Sequence, residues 1–251
     1  MSGADRQAVR LDEADLHRVS GGGDGNDFMQ GGGNDDAMGG GAGNDRMFGY
    51  GGHDSLYGGD GEDRMTGGDG NDLLEGEGGA DHMSGDRGED SLNGGAGNDY
   101  VSGGDGNDTV VGGSGRDTVG GDAGHDLVLG GADDDLLYGG GGNDTLIGGA
   151  GRDQVQGGAG DDVIRWHVTD GSDVVFGGSG FDTLVLEGTG LSIYELLQRI
   201  EVDPGSPQPR MVWGAIDLTG VTGALTINGE RIKIYEMERL VVANHQAHEG
   251  R

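Results

Sequence analysis

The chain has 251 residues, 62 of them glycine, and its 46 acids against 15 bases leave a net charge of −31. Three prolines exclude collagen, and the absence of cysteine excludes a disulfide framework or a thiolate metal site. One lysine, Lys233, in so acidic a chain leaves little for nucleic acid or an anionic membrane to hold, and no apolar run approaches the ~18 residues of a membrane span.

Residues 1–21 are polar, with Val9, Leu11, Leu16 and Val19 in a partly helical pattern, and read as an N-terminal arm or cap. Residues 1–19 contain no apolar h-region, so the expectation is a protein without a cleaved N-terminal signal peptide.

From residue 22 the chain repeats every nine residues. GGDGNDFMQ at 22–30 returns as GGAGNDRMF at 40–48, GGDGNDLLE at 67–75 and GGDGNDTVV at 103–111. The frame holds over residues 22–165, whose 144 residues make sixteen nonapeptides. Trp166 and His167 break it, and residues 166–185 hold that break and two further repeats, 168–176 and 177–185. The sixth position is aspartate in every repeat: Asp27, Asp36, Asp45, Asp54, Asp63, Asp72, Asp81, Asp90, Asp99, Asp108, Asp117, Asp126, Asp135, Asp144, Asp153, Asp162, Asp173 and Asp182. The eighth is always aliphatic or methionine, from Met29 and Met38 to Val175 and Leu184. Position one is glycine except at Val168. Position four is glycine except at Asn34 and Asp133, residue types that tolerate positive φ. Position two also accepts Tyr50, Glu77, Asp86, Asp122 and Thr169, so backbone constraint is expected at positions one and four and not at two.

Positions seven to nine, such as Thr109, Val110 and Val111, have strand character, and alternation turns position eight alone toward one face. Two nonapeptides then form one coil: two three-residue strands and two six-residue turns. Parallel pairing stacks the coils at about 4.8 Å. The expected fold is all-β, a parallel β-roll (β-solenoid) with two nonapeptides per coil, closed by a small mixed C-terminal cap. Met29, Met47, Met65, Met83, Val101 and Val119 would line one layer and Met38, Leu56, Leu74, Leu92, Val110 and Val128 the other. A core one side chain deep cannot offset the chain entropy of nine ordered residues.

Stacking also sets each sixth-position carboxylate near its counterpart eighteen residues on. Two such charges about 5 Å apart repel by about 3 kcal/mol at an effective dielectric of 20. Sixteen turns in two stacks of eight give fourteen neighbouring pairs within residues 22–165. A hard divalent cation reverses the sign. Calcium accepts roughly 6–8 oxygens, from carboxylates and backbone carbonyls alike, whereas magnesium demands a stricter octahedron. Zinc and copper prefer nitrogen or sulfur, and the histidines do not follow the frame. With 26 Asp, 4 Glu and 6 Arg, residues 22–165 carry a net charge of −24. One calcium ion per stacked pair, up to about 14, would bring roughly +28, a loose match that shows the acidity to be of the right size for ions between the turns.

Residues 186–251 have fewer glycines and more apolar side chains. Leu191, Ile193, Leu196, Leu197 and Ile200 fit an amphipathic helix, and a turn follows between Pro204 and Pro209. Strands are expected at 211–218, 224–227, 231–235 and 238–242, with Asn228 and Gly229 as a hairpin turn.

The pattern G-G-x-G-x-D-x-U-x over residues 22–185 resembles the RTX, or haemolysin-type, calcium-binding nonapeptide. The resemblance implies calcium held in the turns by the position-six aspartates and by carbonyls of the glycine-rich positions. It also implies export by a type I system through an uncleaved C-terminal signal, with folding on meeting extracellular calcium. Residues 186–251 would then be both cap and secretion region, although the tail, 245–251, lacks the acidic-plus-aliphatic ending that some such signals carry. Val168, Thr169 and Phe181 depart from the pattern, and Glu77 and Asp86 add charge in two consecutive repeats.

No zinc-protease helix, nucleophile elbow, Walker loop or EF-hand loop is present, so no enzyme is expected. The reading is a secreted, calcium-binding roll of structural or adhesive role. The alternative is a non-catalytic accessory module for an extracellular polysaccharide- or protein-degrading enzyme. A cell-surface or polysaccharide partner suits both. An ice-binding roll would want a regular Thr or Asn file, and position five is asparagine in only six frames, Asn26, Asn44, Asn71, Asn98, Asn107 and Asn143. His53, His82 and His125 are expected as scattered surface residues, and Tyr57, Tyr100 and Tyr138 as outward-facing.

Overall fold

Each repeat contributes one strand, and successive strands alternate between two sheets. The computed structural model describes residues 8–10, 19–212 and 215–243. Among these, each sheet has 13 strands, and within the repeats every neighbour in a sheet is the strand two places on in sequence. Pairing is parallel with a shift of eighteen residues, Leu92 facing Val110 and Val110 facing Val128. After the two-residue insertion the shift becomes twenty, Val155 facing Val175 and Ile164 facing Leu184. The extra length is absorbed locally: Trp166 turns into the core, and a turn closes with the Asp170 N–H donating to the His167 carbonyl at 2.9 Å. The architecture is the parallel β-roll that the nine-residue period implies.

The strands are longer than expected. Thr109–Ser114 runs from position seven through position three of the next repeat, as do most others, so strands of six residues replace strands of three. Along it, exposure alternates so that both position eight and the position-one glycine face inward. A register repeated from coil to coil lets the backbone ladder continue through the glycines in most pairs, where side chains contribute nothing. The turn contracts to positions four to six.

Positions one and two exchange the roles that their composition suggests. Position two is left-handed in every repeat but those of Gly32 and Thr169, at φ 97° in Gly23 and 103° in Gly41, and also in Tyr50 (75°), Glu77 (69°), Asp86 (72°) and Asp122 (73°). Position four is left-handed too, at 114° in Gly25 and 79° in Asp133, whereas Asn34 is not. Position one is not left-handed; contact, described below, keeps it glycine.

The position-eight residues form a single file, each no more than 2% exposed. At the C-terminal end this file runs into a broader core. Glu230–Tyr235 pairs in parallel with Val174–Ser179, and Arg239–Ala243 with Thr183–Glu187, so the cap continues both sheets before adding antiparallel strands. Gly223–Ile227 and Glu230–Tyr235 form the expected hairpin, with Asn228 and Gly229 both at positive φ. The helix is shorter than its apolar pattern. It spans Ile193–Leu197, starts at a Ser192–Glu195 capping box, and gives up Ile200 to the strand Ile200–Val202. The expected strand over 211–218 is two, Arg210–Val212 and Ala215–Asp217, paired antiparallel.

At the N-terminal end, Ala8–Arg10 pairs with Phe28–Gln30 and Val19–Asp24 with Ala37–Ala42. Val9 and Val19 therefore lie in strands rather than on a helix. Leu11, Leu16 and the tail 245–251 lie outside the described residues.

Candidate metal centres

The turns gather along two edges of the roll. Asp27, Asp45, Asp63, Asp81, Asp99, Asp117, Asp135, Asp153 and Asp173 line the first, where the chain enters one sheet. Asp36, Asp54, Asp72, Asp90, Asp108, Asp126, Asp144, Asp162 and Asp182 line the second. All eighteen are buried, none more than 6% exposed. Burial of a carboxylate demands a stated reason, because aspartate is rarely buried without a partner.

One oxygen has its partner. The N–H of Asp27 donates to Asp45 Oδ1 at 2.7 Å, and the N–H of Asp108 to Asp126 Oδ1 at 2.8 Å. The bond survives the insertion, from Asp153 to Asp173 and from Asp162 to Asp182, both at 2.9 Å. The aspartate carbonyl accepts from the next strand, as Asp27 does from the Arg46 N–H at 2.9 Å. Each aspartate thus ties its turn to the turns on either side.

The other oxygen does not. In sixteen of the eighteen, Oδ2 is buried with no hydrogen-bond donor. The exceptions are Asp36, whose Oδ2 accepts from the Gly32 N–H at 2.8 Å, and Asp173, near which the Trp166 indole N–H donates to the Gly171 carbonyl at 3.2 Å. No arginine or lysine compensates: among the described residues the ion pairs join Arg87 to Asp69 and Asp105, Arg152 to Asp134, Arg165 to Glu187, Arg210 to Asp217 and Arg231 to Glu201. The sixth-position carboxylates take part in none of them.

Space is arranged around the orphaned oxygen. A Cβ on the position-one Gly112 would stand 2.6 Å from Asp117 Oδ2 and 2.7 Å from the Gly130 carbonyl oxygen. Only a hydrogen fits there, which is why that position is glycine although its φ is ordinary.

The electrostatics follow from burial. Desolvation pushes Asp54, Asp81, Asp90 and Asp135 up to about 7, against the lowering effect of the backbone N–H each accepts. Asp63, Asp117, Asp126 and Asp153 rise to about 6 for the same reason. Neighbouring carboxylates add to the rise in each of these. The turns are built to be neutralised.

The donor chemistry fits a hard cation. No three His, Cys, Asp or Glu side chains converge among the described residues. A cation between turns would therefore take one or two carboxylates and complete its shell with main-chain carbonyls. Such an all-oxygen, irregular set suits calcium.

Comparison with known proteins agrees. A sequence profile described as the RTX calcium-binding nonapeptide repeat matches overlapping stretches that together span residues 22–165 and 167–187. The chain belongs to that family. A search of curated proteins finds no match to this RTX chain. Among solved structures, the extracellular lipase LipA from Serratia marcescens aligns at 18% identity with a TM-score of 0.28, over 87% of this chain and 40% of that one. The RTX chain thus spans less than half the length of that lipase.

A second role in the RTX turns had only a faint sequence signal. Position-five side chains accept from the position-five N–H of the next coil: the Arg116 N–H donates to Asn98 Oδ1 and the His125 N–H to Asn107 Oδ1, each at 2.8 Å. His53 and His125 both stand in this file, and their Nδ1 atoms accept from Asn71 and Asn143 at 2.8 Å. These two are not scattered: both stand at position five, where imidazole, like asparagine or aspartate, accepts the N–H of the next coil, although Ala80, Arg116 and Arg152 hold the same position without a side-chain acceptor. His82 lies at position seven, its ring 5.7 Å from that of Tyr100. Tyr57, Tyr100 and Tyr138 face outward.

Proposed function

We propose that this chain takes up calcium between its stacked turns, in the cytosol remains unloaded, and folds its roll outside the cell, where it has a non-catalytic structural or adhesive role. The single observation that carries the reading is the set of sixteen buried Oδ2 atoms without a donor. A protein cannot pack that many unsatisfied carboxylate oxygens at neutral pH unless something positive meets them.

The chain's own residues divide the work. The sixteen position-six aspartates whose Oδ2 has no donor present that oxygen to the cation, while Oδ1 holds the neighbouring turn. Position-one glycine leaves room for the carboxylate, and the left-handed residues at positions two and four turn the backbone around it. Calcium supplies positive charge and tolerance of irregular oxygen geometry. One ion per stacked pair in residues 22–165 gives about 14. An extracellular site with an affinity of ~10⁻⁴–10⁻³ M would stay empty at cytosolic calcium levels.

The test is a calcium titration of chelated protein followed by circular dichroism and equilibrium dialysis. Cooperative gain of β signal with calcium bound at millimolar concentration supports the reading. No bound calcium at that concentration sinks it.

A further inference from the structure

The cap prolongs both edges by one turn, and the two prolongations differ. On the first edge Lys233 pairs with Val174, and its N–H donates to the Asp173 carbonyl at 2.8 Å. The Arg231 N–H donates to Ser172 Oγ at 2.9 Å, as a position-five residue would. The residue in register with Asp173 is therefore Ile232, fully buried and without an oxygen on its side chain.

On the second edge Arg239 pairs with Thr183, and its N–H donates to the Asp182 carbonyl at 3.0 Å. The residue in register with Asp182 is Glu238. Its Oε2 accepts the Asp182 N–H at 2.8 Å, the bond that an aspartate Oδ1 makes in every earlier turn of this edge. Glu236, two residues before, is left-handed at φ 53°, matching Gly180 at 141° two residues before Asp182. A Cβ on Gly177 would collide with the Glu236 carbonyl oxygen and lie 2.5 Å from Asp182 Oδ2, the same crowding that surrounds the inner carboxylates. The segment 236–238, although it carries no nonapeptide motif, copies the geometry of a repeat turn.

Two facts say that this copy is more than a structural plug. Asp182 Oδ2 is buried and has no donor. Glu238 brings a second carboxylate against it, and among the described residues neither is ion-paired. At the first edge the residue over Asp173 is the apolar Ile232, which brings no second carboxylate, and the cap places Arg231 and Lys233 beside Asp173 in one groove.

We infer that Glu238 is the last metal ligand of the second edge, building with Asp182 a terminal divalent-cation site that the first edge lacks. This rests on the calcium reading above. The cation would be calcium, held by the Asp182 and Glu238 carboxylates and the nearby carbonyl of Glu236. The roll is thereby asymmetric, with one edge closed by an ion and the other by an apolar side chain flanked by basic ones.

Native mass spectrometry of the full chain loaded with calcium counts ions singly. Glu238→Gln keeps an acceptor for the Asp182 N–H and removes the charge, so its fully loaded species should carry one ion fewer than the unsubstituted chain. Glu230→Gln is the control, because Glu230 bonds Ser172 on the opposite edge (2.8 Å) and should leave the count unchanged. Hydrogen exchange serves as the folding check: calcium-dependent protection of residues 180–187 should fall in Glu238→Gln while the hairpin 223–235 stays protected. An unchanged ion count in Glu238→Gln, or an equal loss in Glu230→Gln, overturns the inference and leaves the calcium reading intact. No calcium on the unsubstituted chain overturns both.

Discussion

The roll and its cap share two sheets but are held together differently. The cap buries Ile216, Leu218, Val221, Leu225, Ile227, Ile234, Met237 and Leu240 around antiparallel strands, with a capped helix alongside. The roll buries one apolar side chain and one carboxylate per nonapeptide, and sixteen of those carboxylates have an oxygen with no donor. The cap can therefore stand on apolar burial, whereas the roll has a complete backbone ladder whose turns are stable only when their charge is met. A regular hydrogen-bond pattern is not by itself evidence of stability when it encloses unsatisfied charge.

Calcium removal should separate the two regions most sharply. In chelator, hydrogen-exchange mass spectrometry is expected to show residues 46–165 exchanging as unstructured chain while 223–235 keeps measurable protection. Millimolar calcium should protect both. Equal protection of roll and cap in chelator would erase the distinction.

Acidification should act on the roll with opposite signs in the two conditions. Burial holds Asp54, Asp81, Asp90 and Asp135 near 7 in the folded, metal-free roll, above the ordinary carboxyl value near 4. A raised folded value means that protonation favours folding: the contribution is full below about pH 4 and lost as pH rises through about 6 to 7. In chelator, lowering pH from 8 to 5 should thus increase β signal. In limiting calcium the same change should decrease it, because protons and ion compete for one oxygen. The cap follows neither course. Its Asp217 is lowered to about 2 by Thr219 and by Arg210, so it contributes above about pH 4 and fails only in strong acid. Circular dichroism against pH with and without calcium checks the sign reversal.

Single substitutions sharpen the contrast. Leu225→Ala in the cap should cost about 2–5 kcal/mol by leaving a cavity, equally with and without calcium. Gly112→Ala in the roll should cost about 1–3 kcal/mol by overpacking against Asp117 Oδ2 and the Gly130 carbonyl. That loss should appear only in calcium, since without it there is no packed turn to disturb. Denaturant midpoints measured in both conditions distinguish the two patterns.

Much of this was legible in the residues. Asp at position six and an aliphatic at position eight give the coil, its two layers and its two edges, because a two-residue spacing across a strand boundary fixes which groups can meet. The role of position one was legible only in part. Its constancy announces a constraint, but whether φ or contact imposes it depends on where the carboxylate of the same turn points. Position two misleads for the converse reason: Tyr50 and Glu77 occupy a left-handed backbone that composition suggests only glycine should take. The turn made by 236–238 was not legible at all. Glu236 and Glu238 follow no nine-residue frame, and only strand pairing brings them over Asp182.

The smallest effect tests whether anything besides charge neutralisation holds the turns. On the second edge the position-five file is nearly continuous, from Asp35 accepting the His53 N–H to Asp161 accepting that of Phe181. On the first it breaks at Ala80, whose methyl offers nothing to the N–H of Asn98 one coil on. Ala80→Asn should install the acceptor that Asn26 provides to Asn44 at 2.9 Å. The new bond lies at the exposed rim of the turn, where water already solvates the donor, so its gain belongs at the low end of hydrogen-bond contributions, about 0.5 kcal/mol. A rise of that size in the calcium-loaded denaturant midpoint, with no change in ions bound, would show a backbone contribution independent of the metal. No rise would leave the turns of the roll resting on their cations alone.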